Sequence, residues 1–114
     1  MGYIKRMNSA TLSALAEPNR FRIVELLREG PQPVGEIARR LAIRQPLASK
    51  HLRVLSEAGL VQAQQLAQQR VYHLQAKPFK ELDNWLENYK HIWNQKLDAL
   101  DEYLMEVQAK DKQP

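Results

Sequence analysis

The sequence predicts a mainly α-helical domain carrying one small β-hairpin, and three observations support that reading. Two short amphipathic patterns, Val34–Leu41 and the helix that opens at Gln45, are separated only by Ala42-Ile43-Arg44, the spacing of a helix-turn-helix. Directly behind them, the run from Leu60 to Leu74 has β-formers (Val61, Val71 and Tyr72) at its ends and a polar middle, which reads as two paired strands. A third pattern, from Pro78 to about Lys110, keeps one apolar stripe for roughly 45 Å of helix, longer than a domain of this size covers.

The elements follow in order. Asn8 or Ser9 can cap a short first helix whose apolar positions are Leu12 and Leu15. Glu17 suits the N-cap of the next helix, because its carboxylate accepts from free backbone N–H groups, and Pro18 suits the first turn, where its missing N–H is no loss. Phe21, Val24 and Leu27, with Ile23 and Leu26 beside them, form the expected buried face, and Gly30 the expected C-cap. Pro31-Gln32-Pro33 reads as extended chain, suited to a short edge strand. Val34, Ile37, Ala38 and Leu41 repeat at i, i+3, i+4 and i+7, a compact amphipathic helix.

The following helix turns Ala48, Leu52 and Leu55 inward and leaves Gln45, Ser49, Lys50 and Arg53 on its other face, with His51 at the margin. A small apolar stripe opposite a basic, hydrogen-bonding surface is what a reader of the DNA major groove needs. Glu57-Ala58-Gly59 stops this helix. Strands are expected at about Leu60–Leu66 and Arg70–Leu74, joined by Ala67-Gln68-Gln69, which lacks glycine and leaves the turn type open. A hairpin in this place is a wing, and Arg70 on it can reach a minor groove or a phosphate. The expected architecture is therefore a winged helix-turn-helix.

In the last helix Phe79, Leu82, Leu86, Tyr89, Trp93, Lys96, Leu100, Tyr103 and Val107 follow alternating steps of three and four, and only Lys96 breaks the stripe. Trp85, Ile92, Leu97 and Leu104 widen it. Such a surplus of apolar surface calls for a second molecule, so a homodimer is expected through Leu82, Leu86, Tyr89 and Trp93, assisted by Leu12 and Leu15 of the first helix. The competing arrangement is a kink near His91 that folds the helix back on itself. Residues 1–114 thus read as one domain, with a DNA-binding core and wing at about 8–77 and a dimerisation helix at about 78–110.

The formal net charge of +4 conceals a segregation. Residues 1–77 carry 12 Lys/Arg against 5 Asp/Glu, a balance of +7, whereas residues 78–114 carry 5 against 8, a balance of −3. From Arg39 to Arg53 there are five basic residues and no acid, a clustering that favours a polyanionic partner. Without cysteine there are no disulfides or thiolate metal sites, in keeping with a reducing cytoplasm. The start MGYIKRMNSA has no apolar run of signal-peptide type and no Ser/Thr where a myristoylation signal wants one, and no stretch is apolar enough to span a membrane.

The runs LAEPNRFRIVELL (Leu15–Leu27), EIARRL (Glu36–Leu41), QPLASKHLRVLSEAGLV (Gln45–Val61) and RVYHL (Arg70–Leu74) together resemble the ArsR (arsenic-repressor) family of winged-helix transcriptional regulators. The likeness covers roughly residues 10–90, and the EPNRFRI and SKHLRVLSEAGLV segments are its most specific parts. It implies a cytoplasmic homodimer that binds a pseudo-palindromic DNA operator and represses, with release by a signal such as a small-molecule inducer. Gln45, Ser49, Lys50 and His51 match the family's usual base- and phosphate-contacting places. Their chemistry agrees: Gln45 can pair with adenine, Lys50 with guanine or phosphate and Ser49 with phosphate, while Arg53 adds charge. The chain departs from the family with Ala42 in the turn, Arg44 where a serine would cap the helix, and Ala67 at the wing tip, where glycine, serine and glycine are common. Arg44 offers no capping acceptor but can serve as an extra phosphate contact.

The metal ligands that some members carry would fall at about Pro33 and Gly35, and at about Ala76, Pro78, Tyr89 and Ile92. None of these side chains binds a metal, and His51, His73 and His91 have no ligand spacing, so a member without metal or other cofactor is expected. No nucleophile–base pair, glycine-rich phosphate loop or HExxH signature points to an enzyme. Trp85, Tyr89, Trp93 and Tyr103 could line an inducer pocket, although their spacing fits plain interface packing better. The rival to a DNA-binding repressor is a winged-helix module for protein–protein contact, for which the uncharged wing (Gln62, Gln64, Gln65, Gln68 and Gln69) speaks.

Overall fold

A computed structural model describes residues 9–111. The chain divides into two compact units, residues 1–81 and 82–114. Helix α1 (Ser9–Ala16) leads into α2 (Pro18–Leu27), strand β1 (Gln32–Pro33), α3 (Val34–Leu41) and α4 (Gln45–Glu57). Strands β2 (Val61–Leu66) and β3 (Gln69–Leu74) follow, and then α5 (Ala76–Asp111). The fold is mainly helical with a small antiparallel sheet, a winged helix-turn-helix.

The core of the first unit is built on large aliphatic groups from α2, α3, α4 and the approach to β2. Ile23 of α2, Ile37 of α3, Leu52 and Leu55 of α4 and Leu60 before β2 are all fully buried. Each contributes about 1.5–3 kcal/mol by leaving water. Val34, Leu15 and Phe79 pack at the margin of this cluster.

Capping chemistry fixes α2 at its start. Glu17 has extended φ/ψ, and its Oε2 accepts from the Arg20 N–H at 2.8 Å, with Pro18 in the first turn. The far end differs from expectation, since Arg28 is the C-cap and Gly30, at φ 137°, turns the chain two residues later. Phe21 also departs, being 50% exposed although a buried place was expected. It lies two positions from the fully buried Ile23, which on a helix means almost opposite sides. In α1 the buried side chains are Thr11 and Ala14, not Leu12, which is 43% exposed. Small residues at i and i+3 let α1 approach its neighbour closely. The suggested cap Asn8 lies outside the described residues.

The helix-turn-helix is as the periodicity foretells. Ile37, Ala38 and Leu41 of α3 and Ala48, Leu52 and Leu55 of α4 are buried. Between them Ala42 adopts the left-handed conformation at φ 56°, a backbone geometry that favours glycine. The sheet order is β1-β3-β2. Prolines flank and end β1, which pairs only through Gln32 with Tyr72 and Pro33 with Val71, an edge place that tolerates the missing N–H.

The β2–β3 hairpin runs in register from Val61 with Leu74 to Leu66 with Gln69, leaving the two-residue turn Ala67-Gln68. Ala67 has φ 55° whereas Gln68 has no positive φ, the φ pattern of a type II′ turn. Val61, Ala63, Tyr72 and Leu74 turn one face of the hairpin to the core. The part nearer the tip, from Gln64 to Arg70, is exposed.

The second unit, residues 82–111, is helical throughout, part of the unbroken α5. Leu86, Tyr89, Ile92, Trp93, Leu97, Leu100, Tyr103, Leu104 and Val107 are all exposed on it. The rings of Trp85 and Tyr89 stand 4.9 Å apart with their planes tilted by 57°, a packed aromatic pair within one helical turn.

Candidate nucleic-acid interface

Helix α4 presents the site. With its apolar side in the core, it leaves Gln45, Ser49, Lys50 and Arg53 exposed. Gln45, Ser49 and Arg53 succeed one another at four-residue steps, a single stripe along the helix, with Lys50 beside it. Behind this stripe the Gln45 amide oxygen lies 3.8 Å from where a Cβ on Gly35 of α3 would sit, so α3 and α4 approach closely at the start of α4.

The N-terminus of α4 lacks a side-chain cap. Arg44 holds the extended backbone of an N-cap, φ −70° and ψ 144°, but its guanidinium accepts nothing. Pro46 has no N–H, so the next free donor of the first turn is the Leu47 N–H. Partial positive charge therefore gathers where Arg44 is exposed.

The other cations differ in how free they are. Among the described residues Arg44 and Lys50 make no ion pair. Arg53 faces Glu57 at 3.5 Å across exposed side chains, a contact of little strength. Arg39 is hydrogen-bonded through two nitrogens to Glu36, and Arg40 donates to Glu29 at 2.9 Å. The hydrogen bond from Arg39 holds the Glu36 carboxyl below the usual carboxylate range, and the same bond raises the Arg39 guanidinium. On the wing, Arg70 is exposed and its guanidinium carbon lies 5.8 Å from the centre of the Tyr72 ring, a cation–π contact that holds a long side chain in place.

His51 does not share the exposed stripe. Its side chain is 11% exposed and its Nδ1 lies 3.7 Å from Glu17 Oε2, at the junction of α1 and α2. Of the residues expected at a dimer contact, Leu12 is exposed in the first unit, whereas Leu15 packs against that unit's own core. In the second unit Leu86, Tyr89 and Trp93 are exposed and Leu82 half-buried. Sequence reasoning missed several partners: Tyr72 under Arg70, Glu17 beside His51, Glu36 on Arg39, Glu29 on Arg40 and Glu57 on Arg53. Those of Arg39 and Arg53 leave a signal in helical spacing, i, i+3 and i, i+4, and that of Arg70 in strand pleat.

Among the described residues no group of three or more His, Cys, Asp or Glu side chains is gathered as for a metal ion. Likewise, among them no helix is long and apolar enough to cross a membrane.

Fold and surface together define a winged helix-turn-helix module of the DNA-binding kind. A helix-turn-helix domain family matches residues 15–62. The HTH-type transcriptional regulator Rv2034 of Mycobacterium tuberculosis is 48% identical over 61 residues, which is 54% of this chain and 57% of that one. The chain thus spans little more than half the length of that relative. The biofilm growth-associated repressor of Xylella fastidiosa is 36% identical over 84 residues, 72% of this chain and 74% of that one. Among solved structures, the ArsR family transcriptional regulator RHA00566 superposes with a TM-score of 0.67 at 26% identity, covering 75% of this chain and 89% of the other. The homodimeric winged helix-turn-helix DNA-binding domain Mb0332 of Mycobacterium bovis gives 0.61 at 25%, covering 73% and 77%. The chain belongs to the ArsR-type winged helix-turn-helix transcriptional regulators.

Proposed function

We propose that this protein is a transcriptional repressor that binds a pseudo-palindromic DNA operator as a homodimer in the cytoplasm. One observation carries the reading: α4 exposes Gln45, Ser49, Lys50 and Arg53 as one continuous polar face with Arg44 at its uncapped start. That face supplies donors and acceptors for base edges and cations for phosphates. Arg70 on the wing adds a further contact, to a phosphate or the minor groove. His51 was expected among these contacts and is assigned another part below.

In this reading residues 8–77 bind DNA and residues 78–110 join the two copies. The exposed apolar face of residues 82–111, with Leu86, Tyr89 and Trp93 beyond the half-buried Leu82, supports the second part. Within the first unit Leu12 is exposed and is proposed to assist the dimer, whereas Leu15 packs against that unit's own core. Release from DNA does not depend on a metal ion in this proposal. By the family resemblance, ligands of metal-sensing members would fall at about Pro33, Gly35, Ala76, Pro78, Tyr89 and Ile92, and none of these is a Cys, His, Asp or Glu. Repression is relieved by a small molecule, by a partner protein, or not at all.

The test is an electrophoretic shift with the DNA upstream of the protein's own coding region, at low and high salt. A retarded complex that weakens with salt and resists random competitor DNA is the expected result. The protected half-sites should lie one helical turn, ~10 bp, apart. Equal binding to random DNA, or indifference to salt, removes the reading and leaves the protein-contact module in its place.

A further inference from the structure

We propose that His51 is a positioning residue, which sets the rotation of α4 by its contact with Glu17, and not a direct contact to DNA. The inference rests on the repressor reading and deepens it. Its first support is helical geometry. Successive residues are about 100° apart around a helix, so His51 and Ser49 point about 160° away from each other. Ser49 lies on the exposed stripe with Gln45 and Arg53. His51 therefore flanks the buried face of Ala48, Leu52 and Leu55 on the side away from Ser49, consistent with its 11% side-chain exposure.

The second support is what His51 meets. Glu17 is itself immobilised, because its Oε2 accepts from the Arg20 N–H at 2.8 Å. Arg20 in turn donates from Nε to the Ala14 carbonyl at 2.8 Å and from Nη2 to that of Ser13 at 3.5 Å. The end of α1, the start of α2 and one carboxylate thus form a fixed corner. His51 Nδ1 stands 3.7 Å from that carboxylate, too far for a direct hydrogen bond but within ion-pair range.

The third support is a need. Ala48, Leu52 and Leu55 hold α4 in the core by apolar contact, which has no direction. A helix so held resists withdrawal but tolerates small rotations about its axis, and each rotation carries Gln45, Ser49 and Arg53 across the groove they read. A polar contact at the flank of the buried face removes that freedom.

The experiment first selects a duplex from a randomised pool with the wild-type protein, then measures affinity for that duplex and for an unselected one. Four variants are compared: H51A, H51N, E17Q and the double variant E17Q/H51A. E17Q keeps an oxygen that can accept from the Arg20 N–H, and H51N keeps a donor near the place of Nδ1. Thermal unfolding confirms that each variant folds.

On this proposal E17Q and H51A each lower affinity for the selected duplex by about two- to fivefold. The double variant is then no weaker than the weaker single, H51N recovers most of the loss, and affinity for the unselected duplex stays unchanged. If E17Q binds like wild type while H51A is weakened, or if the two effects multiply, or if neither change has an effect, the proposal is overturned. Failure of the wild type to select any duplex would instead remove the repressor reading. The same variants unfolded in urea then decide the contact alone, with additive effects overturning it.

Discussion

Arg44 sits where a helix cap belongs, which sets stability against binding at one position. The variant R44S supplies a short oxygen acceptor to a backbone already in the extended conformation of an N-cap. Because the second helical residue is Pro46, the new hydroxyl must accept from Leu47 N–H, the third-position donor that capping residues normally satisfy. A cap of this kind contributes about 1 kcal/mol. In a chain of 114 residues that corresponds to a rise in Tm of about 4 °C. Far-UV circular dichroism at one fixed protein concentration measures it, the concentration being held because self-association shifts Tm by mass action.

The same substitution removes a cation from the end of the reading helix. The salt dependence of operator binding should then fall by about one unit of slope for each protomer. R44A separates the effects, since it removes the cation without adding an acceptor: binding falls as for R44S, while Tm does not rise. If R44S unfolds at or below the wild-type temperature, the uncapped-terminus argument is wrong. If its salt slope is unchanged, Arg44 does not touch the phosphates.

Other changes test other parts of the molecule. K50A should weaken the operator complex by about 1–3 kcal/mol if Lys50 reads a base, and relax preference at one position of the site, as a panel of single-base operator variants measures. A67G places glycine at the positive φ of the wing turn and should stabilise the fold by about 1 kcal/mol in urea unfolding. A loss there would show that Ala67 is not strained. K96L makes the stripe of residues 82–111 continuous, so it should tighten self-association as seen in analytical ultracentrifugation. A weaker dimer would place Lys96 beside a partner group that needs its charge.

The helix-turn-helix was the most legible part because local chemistry and tertiary packing agree there. Val34, Ile37, Ala38 and Leu41 can face only one way, and the i, i+4, i+7 set of Ala48, Leu52 and Leu55 determines the outward face as well. The exposed stripe of Gln45, Ser49 and Arg53 follows directly from it. In α1 the inner face goes to small residues, Thr11 and Ala14, because close approach to a neighbour needs little volume, and Leu12, expected at a dimer contact, stays exposed. Phe21 was misplaced for a related reason, hydrophobicity being a poor guide to a helix's inner face when apolar residues surround most of it.

The contacts of the site were less legible than its residues. His51 on α4 and Glu17 at the junction of α1 and α2 are far apart in sequence, so no local spacing records their meeting. The stacking of Arg70 on Tyr72 follows from sheet pleat, since residues two apart on β3 share a face. It could have been read once the strand was placed. The turn type at Ala67-Gln68 could not, because alanine carries no signature for positive φ.

The pairing of Arg39 with Glu36 and of Arg40 with Glu29 bears on how the charge of this surface is counted. A phosphate arriving at either arginine meets a guanidinium that already holds an anion within the same chain. Replacing that anion exchanges one contact for another and frees a carboxylate to face the DNA, instead of setting a condensed counterion loose from the duplex. The formal excess of cations therefore overstates the entropy available from counterion release. In the proposed complex affinity should lose less with added salt than the number of arginines suggests, and base contacts by Gln45 and Lys50 would carry a correspondingly larger share of the binding free energy.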